Sequence, residues 1–518
     1  MSQESLSTPA RWALTSLALS MLMPSLDTSI ANAGLPILAS AFAATFQQVQ
    51  WIVLAYLLAV TTLIVSVGRL GDGVGRRRLL LIGIGIFTSA SLACALAPGL
   101  GWLIGARAVQ GVGAAIMFAL TVALVSAAVP ESRAGSAMGL LATMSATGTS
   151  LGPSLGGLLM THVGWQAIFL LNVPLGLLNI WLVYRFLPAD RATGPRAAFD
   201  YSGSAVLVLT LAAYALAMTL EGLLLPLLLA SLCGAGLFIV VELKAKSPLI
   251  RLSLFSDARL SSSLALTLLV TTVMMTTLVV GPFYLHRGLG LSSTMVGVAL
   301  SVGPLLSALS GVPAGRLVDR FGAHRIVPGA LLGMAGGCSL LALLPMSMGL
   351  PGYVLPIMVV AVSYALFQAA NNTGLMAGVS QDQRGVVSAM LGLARNLGLI
   401  TGAAVMGAVF ALAAGDPTQA PATAIASGLH ITFGIAVALM LMALIISRAQ
   451  FNCRSEPARD SELSADEGVV GAGLIAGKPA PTMIGAQSRS LAKPKPCGSW
   501  LASDDGGTVD QDHWRAGK

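Results

Sequence analysis

Apolar residues run in blocks of about 20 along most of the chain, each closed by a short polar or charged stretch, which predicts membrane-spanning helices. Fourteen spans are expected, near residues 12–34, 48–68, 79–97, 101–126, 136–160, 165–187, 201–220, 222–241, 262–284, 294–314, 326–346, 353–376, 386–412 and 427–447. The 201–241 pair also admits a reading as one re-entrant segment. The spans group as six, two and six. The expected organisation is therefore a cytoplasmic N-terminus over 1–11, a six-helix bundle over 12–187 and a linker with two extra transmembrane helices over 188–261. A second six-helix bundle follows over 262–447, then a disordered cytoplasmic tail over 448–518, rich in Ser, Gly, Pro and Asp.

Composition agrees with an all-α polytopic membrane protein. Charged residues make up 10% of the 518 residues, against roughly a quarter in soluble domains, and the mean hydropathy is +0.83. The net charge of +8 does not point to nucleic acid, because the basic residues sit in short loops beside apolar runs. With the loop holding Arg69 and Arg76 to Arg78 assigned to the cytoplasm, sixteen Lys and Arg fall on that side and Arg287 alone on the other. That positive-inside asymmetry supports fourteen spans with both termini cytoplasmic. Arg11 through Ala33 resembles a signal peptide, but further spans follow and the segment reads as an uncleaved anchor. The five cysteines form no C-x-x-C pair and the five histidines are scattered, so neither a disulfide framework nor a metal site is expected.

One charged stretch occurs twice. Gly68-Arg-Leu-Gly-Asp-Gly-Val-Gly-Arg-Arg-Arg78 returns as Gly315-Arg-Leu-Val-Asp-Arg-Phe-Gly-Ala-His-Arg325 with six identities, each after the second span of its half. A second echo pairs Glu131-Ser-Arg133 and Ser136-Ala-Met138 with Asp382-Gln-Arg384 and Ser388-Ala-Met390. Two similar bundles joined head to tail are the build of transporters that rock one repeat against the other. Gly68, Arg69, Asp72, Gly75, Arg76, Gly315, Asp319 and Arg320 are the expected gating residues. Asp72 and Asp319 can face a helix N-terminus or a neighbouring arginine, while the arginines also serve topology.

Few polar residues lie inside spans. Asp27 in the first and Arg107 in the fourth sit at similar depth, about 9 Å from the outer end. A carboxylate there costs about 2.5–3.5 kcal/mol on insertion scales. The pair reads as a proton-coupling site, with a static ion pair or a snorkelling arginine as the alternatives. Gly148, Gly152, Pro153, Gly156 and Gly157 give close helix packing and a bend; the G-x-S-x-G match within them is mid-helix and not a nucleophile elbow. Gln368, Asn371 and Asn372 share a face of the twelfth span, where they either line a cavity or bond across a helix interface. Arg395, about 14 Å into the thirteenth span, either faces the same cavity or snorkels. Thr271 to Thr277, with Met274 and Met275, suits a permissive pocket or plain packing.

These motifs resemble the major facilitator superfamily, and more narrowly its fourteen-span drug:proton antiporters. Leu26-Asp-Thr-Ser-Ile-Ala-Asn-Ala-Gly-Leu-Pro36 looks like the first-helix signature, which places Asp27 and Asn32. Gly68 to Arg78 matches the superfamily loop. Arg107-Ala-Val-Gln-Gly111, with Gln110, is similar to the fourth-helix motif whose arginine is associated with proton transfer. Gly148 to Gly157 resembles the antiporter motif of the fifth helix. Trp165-Gln-Ala-Ile-Phe-Leu-Leu-Asn-Val-Pro-Leu-Gly176 resembles the sixth-span signature, with Gln166 where arginine is usual. The likeness covers roughly residues 12–447.

The resemblance implies a major facilitator fold and proton-coupled efflux of amphipathic molecules such as drugs and antiseptics from a bacterial-type inner membrane. The expected cavity residues are Asn32, Gln110, Gln368, Asn371, Asn372 and Arg395. A dedicated exporter of a metabolite or siderophore is the alternative. No phosphate-binding G-x-x-x-x-G-K-[ST] loop and no H-E-x-x-H occur, so no enzyme activity and no cofactor beyond a proton gradient are expected. The expected partners are lipid, protons and the small-molecule substrate, with a periplasmic adaptor protein as an optional further partner; nucleic acid is not expected. With Asp27 the only carboxylate well inside a span, rigid dications are expected to be poorer substrates than neutral, zwitterionic or monocationic amphiphiles.

Overall fold

A computed structural model of the chain describes residues 8–128, 131–190, 201–220, 223–245, 257–376, 379 and 384–452. The expected N-terminal segment before residue 8 and the tail beyond 452 lie outside the described residues.

Among the described residues every regular element is helical. The long helices are numbered here in chain order, with the intervening short helices left unnumbered. The first group is α1 (Thr8–Ala33), α2 (Phe46–Val74), α3 (Arg76–Ala95), α4 (Leu100–Ala128), α5 (Glu131–His162) and α6 (Asn172–Phe186). Two further helices, α7 (Tyr201–Thr219) and α8 (Leu224–Lys244), pack on each other. The last group is α9 (Ala258–Phe283), α10 (Ser293–Phe321), α11 (Ala323–Leu343), α12 (Gly349–Met376), α13 (Arg384–Thr401) and α14 (Ala422–Asn452). After α13 the chain continues through the π turn Gly402–Met406 into Gly407–Ala414.

Twelve helical segments are long and apolar enough to cross a membrane, against fourteen expected spans. The two that fall short of that measure are α1 and α5. α1 carries Ser16, Ser20, Ser25, Asp27, Ser29 and Asn32, all buried, and α5 is diluted by glycine, serine and threonine. Both are internal helices. α5 lies along α1 on one side and along α10 on the other, so their polar faces meet protein. Serine and threonine hydroxyls in α1 return bonds to their own helix, as Ser20 does to the Ser16 carbonyl (2.9 Å) and Thr28 to that of Pro24 (2.8 Å). A helix enclosed in this way needs less apolar surface than one facing lipid.

The two groups repeat one pairing scheme. α1 packs on α5, α2 and α3 on α4, and α3 on α6; likewise α9 packs on α13, α10 and α11 on α12, and α11 on α14. The groups meet through α5 against α10 and α2 against α13, which are corresponding pairs in the repeat. α7 lies beside α2 and joins both groups by hydrogen bonds. The Trp51 indole N–H donates to Thr219 (3.0 Å), and the Tyr214 hydroxyl to Thr401 (3.3 Å).

The repeated charged stretch is helical over most of its length. α2 and α10 are each 29 residues long, about 43 Å by helix rise, and outrun a hydrocarbon core of about 30 Å. Each therefore carries its first seven motif residues as helix beyond the apolar zone. The chain turns at Gly75 (φ 102°) and Gly322 (φ 80°), which correspond in the repeat. Left-handed backbone there favours glycine. At Gly75 an added Cβ would also lie 2.4 Å from an Asp190 carboxylate oxygen.

At the end opposite these turns the two groups are sealed together. A Cβ on Gly297 would stand 2.1 Å from the Pro153 carbonyl oxygen, and one on Gly157 would stand 2.4 Å from that of Ser293. Ser154 and Ser301 share a hydroxyl hydrogen bond, and Thr161 meets Thr294 at 3.1 Å. Across the other seam Gln50 donates to the Ala403 carbonyl (3.0 Å), while Phe46 packs edge-on against Phe283 and Phe410. Glycine is what allows α5 and α10 to touch backbone to backbone. Gly297→Ala should part these ends, because a methyl meeting a carbonyl cannot rotate away. Spin labels at the exposed Val163 and Met295 positions should then report a longer distance than in the parent protein; an unchanged distance would mean the seal does not depend on that contact.

Candidate functional site

Asp27, six residues before the end of α1, is 1% exposed, and Arg107 of α4 is 0% exposed. The Arg107 Nη1 donates to Asp27 Oδ2 and forms with it a salt bridge. Asp27 Oδ1 accepts from Gln110 Nε2 (2.9 Å) and from Asn172 Nδ2 (2.7 Å). Arg107 also donates from Nε to the Ile52 carbonyl (3.1 Å) and from Nη1 to Gln110 Oε1 (2.7 Å), and Gln110 Nε2 donates to Ser91 (2.8 Å). The guanidinium lies over the Tyr56 ring, 4.4 Å from its centroid, with Phe169 at 5.8 Å. One carboxylate thus gathers donors from α4 and α6, and its arginine is held by α2 and an aromatic wall. Among the described residues Arg107 Nη2 has no hydrogen-bond partner.

Equal depth in the sequence allowed Asp27 and Arg107 to pair, and the structure puts them in direct contact. Asn172 was missed. It sits in the sixth-span signature as an unremarked amide, and the readable signal was Asn172 and Asn179 two turns apart on one helix face. Both are buried, and Asn179 donates to Ser20 of α1 (2.8 Å).

The cavity is a separate place. It has a volume of about 540 Å³ and lies between the two groups, on the charged-turn side of the seal. Gln368 and Asn372 of α12 and Arg395 of α13 line it, as do Met274 and Thr277 of α9. Three expected cavity residues do not. Gln110 is committed to the Asp27 cluster. Asn371 turns from its neighbours to α9, where its Oδ1 accepts from Ser263 (2.8 Å) and its Nδ2 donates to Thr267 (3.0 Å). Asn32 is buried in α1, with Nδ2 returned to the Thr28 carbonyl (2.9 Å). The cause is helical: positions 368 and 372 are one turn apart, whereas position 371 is rotated by most of a right angle toward the neighbouring helix. α1 has Met21 in the cavity wall and Ser25 bonded to the lining residue Ser145 (2.8 Å). Asp27 belongs to its other face.

Of the gating residues, the side chains of Gly68, Arg69 and Asp72 lie outside the described residues. Arg76 donates from Nη1 to the Ala123 carbonyl (3.4 Å). Asp319 is exposed and has no ion-pair partner among the described residues, and Arg320 rests over its neighbour Phe321. Among the described residues Asp319, exposed on the last turns of α10, makes neither of the expected contacts. A carboxylate that does cap a helix N-terminus beside the repeated stretch is Asp190, which accepts from the backbone N–H of Arg77 (2.8 Å) and of Arg78 (3.1 Å) at the start of α3. The motif glycines divide their work: Gly148, Gly152 and Gly156 meet α1, while Gly157 and the Pro153 carbonyl meet α10.

Removing Asn172 should be costly, because a hydrogen bond to a charged group contributes about 1.5–3 kcal/mol. Asn172→Leu is expected to lower the midpoint of thermal unfolding in detergent, and to do so less when Asp27→Asn is already present. Equal effects in both backgrounds would mean that Asn172 does not act through the carboxylate.

Residues 17–403 match the Major Facilitator Superfamily. The chain is 30% identical over 396 residues to the riboflavin transporter RibZ of Clostridioides difficile, covering 76% of this chain and 87% of that protein. It is also 30% identical over 416 residues to the multidrug resistance protein Stp of Mycobacterium tuberculosis, covering 77% of this chain and 75% of Stp. Among solved structures, a bacterial homologue of the human lysosomal transporter Spinster, in an inward-facing unoccupied conformation, superposes with a TM-score of 0.64 at 16% identity. That match covers 88% of this chain and all of that one, and it speaks for the fold. The protein is a multi-pass membrane transporter, not an enzyme, and it belongs to the Major Facilitator Superfamily.

Proposed function

We propose that the protein exports amphipathic small molecules in exchange for protons, by alternating access between two six-helix bundles, with Asp27 as the proton-carrying group. The observation that carries this reading is the fully buried Asp27–Arg107 pair. An isolated charge at this depth is expensive, so intramembrane ion pairs mark coupling sites by default. Protonation of Asp27 removes the charge facing Arg107 and weakens the bonds from Gln110 and Asn172. That loosens α1 from α4 and α6. Since α1 lies along α5, and α5 forms the seal with α10, a movement of α1 reaches the seal. Deprotonation restores the pair and resets it.

In this reading α1 and α5 also cross the bilayer. At 26 and 32 residues they are about 39 and 48 Å long, which exceeds the hydrocarbon core. Fourteen spans then lie in an inner membrane with both termini in the cytoplasm, as the loop arginines favour. The cavity opens toward that side, where a substrate for export is collected. A dedicated exporter of one metabolite is the second reading. The equal identity to a riboflavin transporter and to a multidrug resistance protein favours it as a rival.

Asp27→Asn should insert and fold, because an amide retains acceptors and shape. It should nevertheless abolish uptake of a fluorescent amphiphile into inverted vesicles driven by a pH gradient. Binding in detergent should stay close to wild type, because Asp27 does not line the cavity. Full transport by this variant would remove Asp27 from the mechanism. A panel of chemically unrelated amphiphiles in the same vesicles separates a broad exporter from a dedicated one.

A further inference from the structure

The charges of the cavity wall are one-sided. None of its lining residues is acidic, and Arg395 is its sole cation. Arg395 is exposed to the cavity and makes no hydrogen bond or ion pair among the described residues. Along α12 opposite it, Tyr364, Gln368 and Asn372 recur at one-turn intervals on the cavity side. Gln368 Nε2 donates to the Tyr364 oxygen (2.5 Å), which leaves the Tyr364 O–H free to donate into the cavity, and the Asn372 amide has no hydrogen-bond partner among the described residues. The nearby carboxylate, Asp27, faces away behind α1 with its oxygens taken by Arg107, Gln110 and Asn172. A guanidinium facing the cavity with no ion-pair partner among the described residues leaves a charge that an anion would neutralise. Its planar fork matches a carboxylate with two parallel hydrogen bonds.

We propose that this cavity binds acidic amphiphiles: a compact, largely apolar and preferably aromatic body bearing one carboxylate, whose oxygens sit on Arg395 while Tyr364 and Asn372 donate to its polar edge. The body lies against the apolar wall formed by residues such as Met274 and Ile357. The volume of about 540 Å³ is that of a drug-sized site. The sequence-based expectation accepted monocations alongside neutral and zwitterionic molecules. The geometry narrows it, since a cation would meet Arg395 with no carboxylate to offset the repulsion. The inference rests on the export reading for its direction of transport, but the binding site stands apart from the proton site.

Three probes on one skeleton test it with the full-length protein in detergent: 2-naphthylacetate, 2-naphthylacetamide and 2-naphthylmethyl-trimethylammonium, titrated by calorimetry. The carboxylate should bind about tenfold more tightly than the amide, the worth of one charge-assisted contact, and the ammonium should bind most weakly. Arg395→Gln should bring carboxylate and amide to within about twofold of each other. Arg395→Lys should keep part of the preference, which shows that the site still folds and reads charge. A preference that survives in Arg395→Gln, or an ammonium bound more tightly than the carboxylate by wild type, overturns the proposal.

Proteoliposomes then separate it from the export reading. At any fixed proton number the carboxylate carries one more negative charge outward than the amide. A potential negative on the loading side should therefore speed its transport relative to the amide. Arg395-dependent binding of a carboxylate that no pH gradient moves would sink proton-driven export and leave the anion site standing. Asp27-dependent pumping of the amide, with carboxylate binding indifferent to Arg395→Gln, would do the reverse.

Discussion

The structure is organised around the need to pair one buried carboxylate. A charge buried within α1 is tolerated only when its field is met by opposite charge and its lone pairs by donors. Asp27 has a guanidinium from α4, an amide from α4 and an amide from α6. These contacts fix the rotation of α1 about its own axis, since turning it would bring the carboxylate against apolar side chains. With α1 fixed, its opposite face, including Met21, is assigned to the cavity wall. The flank that presents Ser25, Ser29 and Ile30 is assigned to the glycines of α5. One ion pair thereby sets where the buried carboxylate, the cavity and the inter-bundle seal lie relative to each other.

The close approach of α5 follows from that placement. Ser25 and Ser29 pack against Gly148 and Gly152, and Ser29 donates to the Thr149 carbonyl (2.7 Å). Four residues later in α5, Gly156 still faces α1 while Gly157 already faces α10. A helix with such narrow sides can touch two partners from different bundles at backbone distance. It gains little from apolar burial and much from contact and hydrogen bonding, as membrane helix packing requires. The same composition is why α5 scores as a weak span by hydropathy alone. Its polar character belongs to its position between two helices.

The features legible in the sequence were those carried by span-length periodicity, by the internal repeat and by rare polar residues inside apolar runs. The repeat located Gly75 and Gly322 as equivalent turns, and the depth of Asp27 and Arg107 allowed their contact. Rotation about helix axes was not legible. Gln368, Asn371 and Asn372 are indistinguishable as a patterned face in one dimension, yet the neighbouring α9 offers Ser263 and Thr267 to position 371 alone. Asn32 and Gln110 were grouped with the cavity because polar residues in a transporter invite that reading, whereas their helices turn them elsewhere. Asn172 and Asp190 needed tertiary knowledge, since each acts on a helix distant in sequence. The charged stretch was read as loop because its residues are hydrophilic; a helix that continues past the membrane surface has the same composition.

The separation of Asp27 from the cavity bears on how coupling can work at all. Where proton and substrate share one carboxylate, each displaces the other, and the exchange is enforced by competition for a single charge. Here both oxygens of the carboxylate are engaged behind α1, and the cavity presents cationic and hydroxyl groups in its place. The two ligands can then influence each other only by favouring different positions of α1, which makes the coupling a difference in helix packing between states. Such coupling is indifferent to substrate charge. It permits a proton antiporter to carry an anion, because the substrate need not compete with a proton for binding. In the proposed exchange the burden falls on the fit of α1 between α4 and α5, with one face of the helix holding the buried carboxylate and the other forming part of the cavity wall.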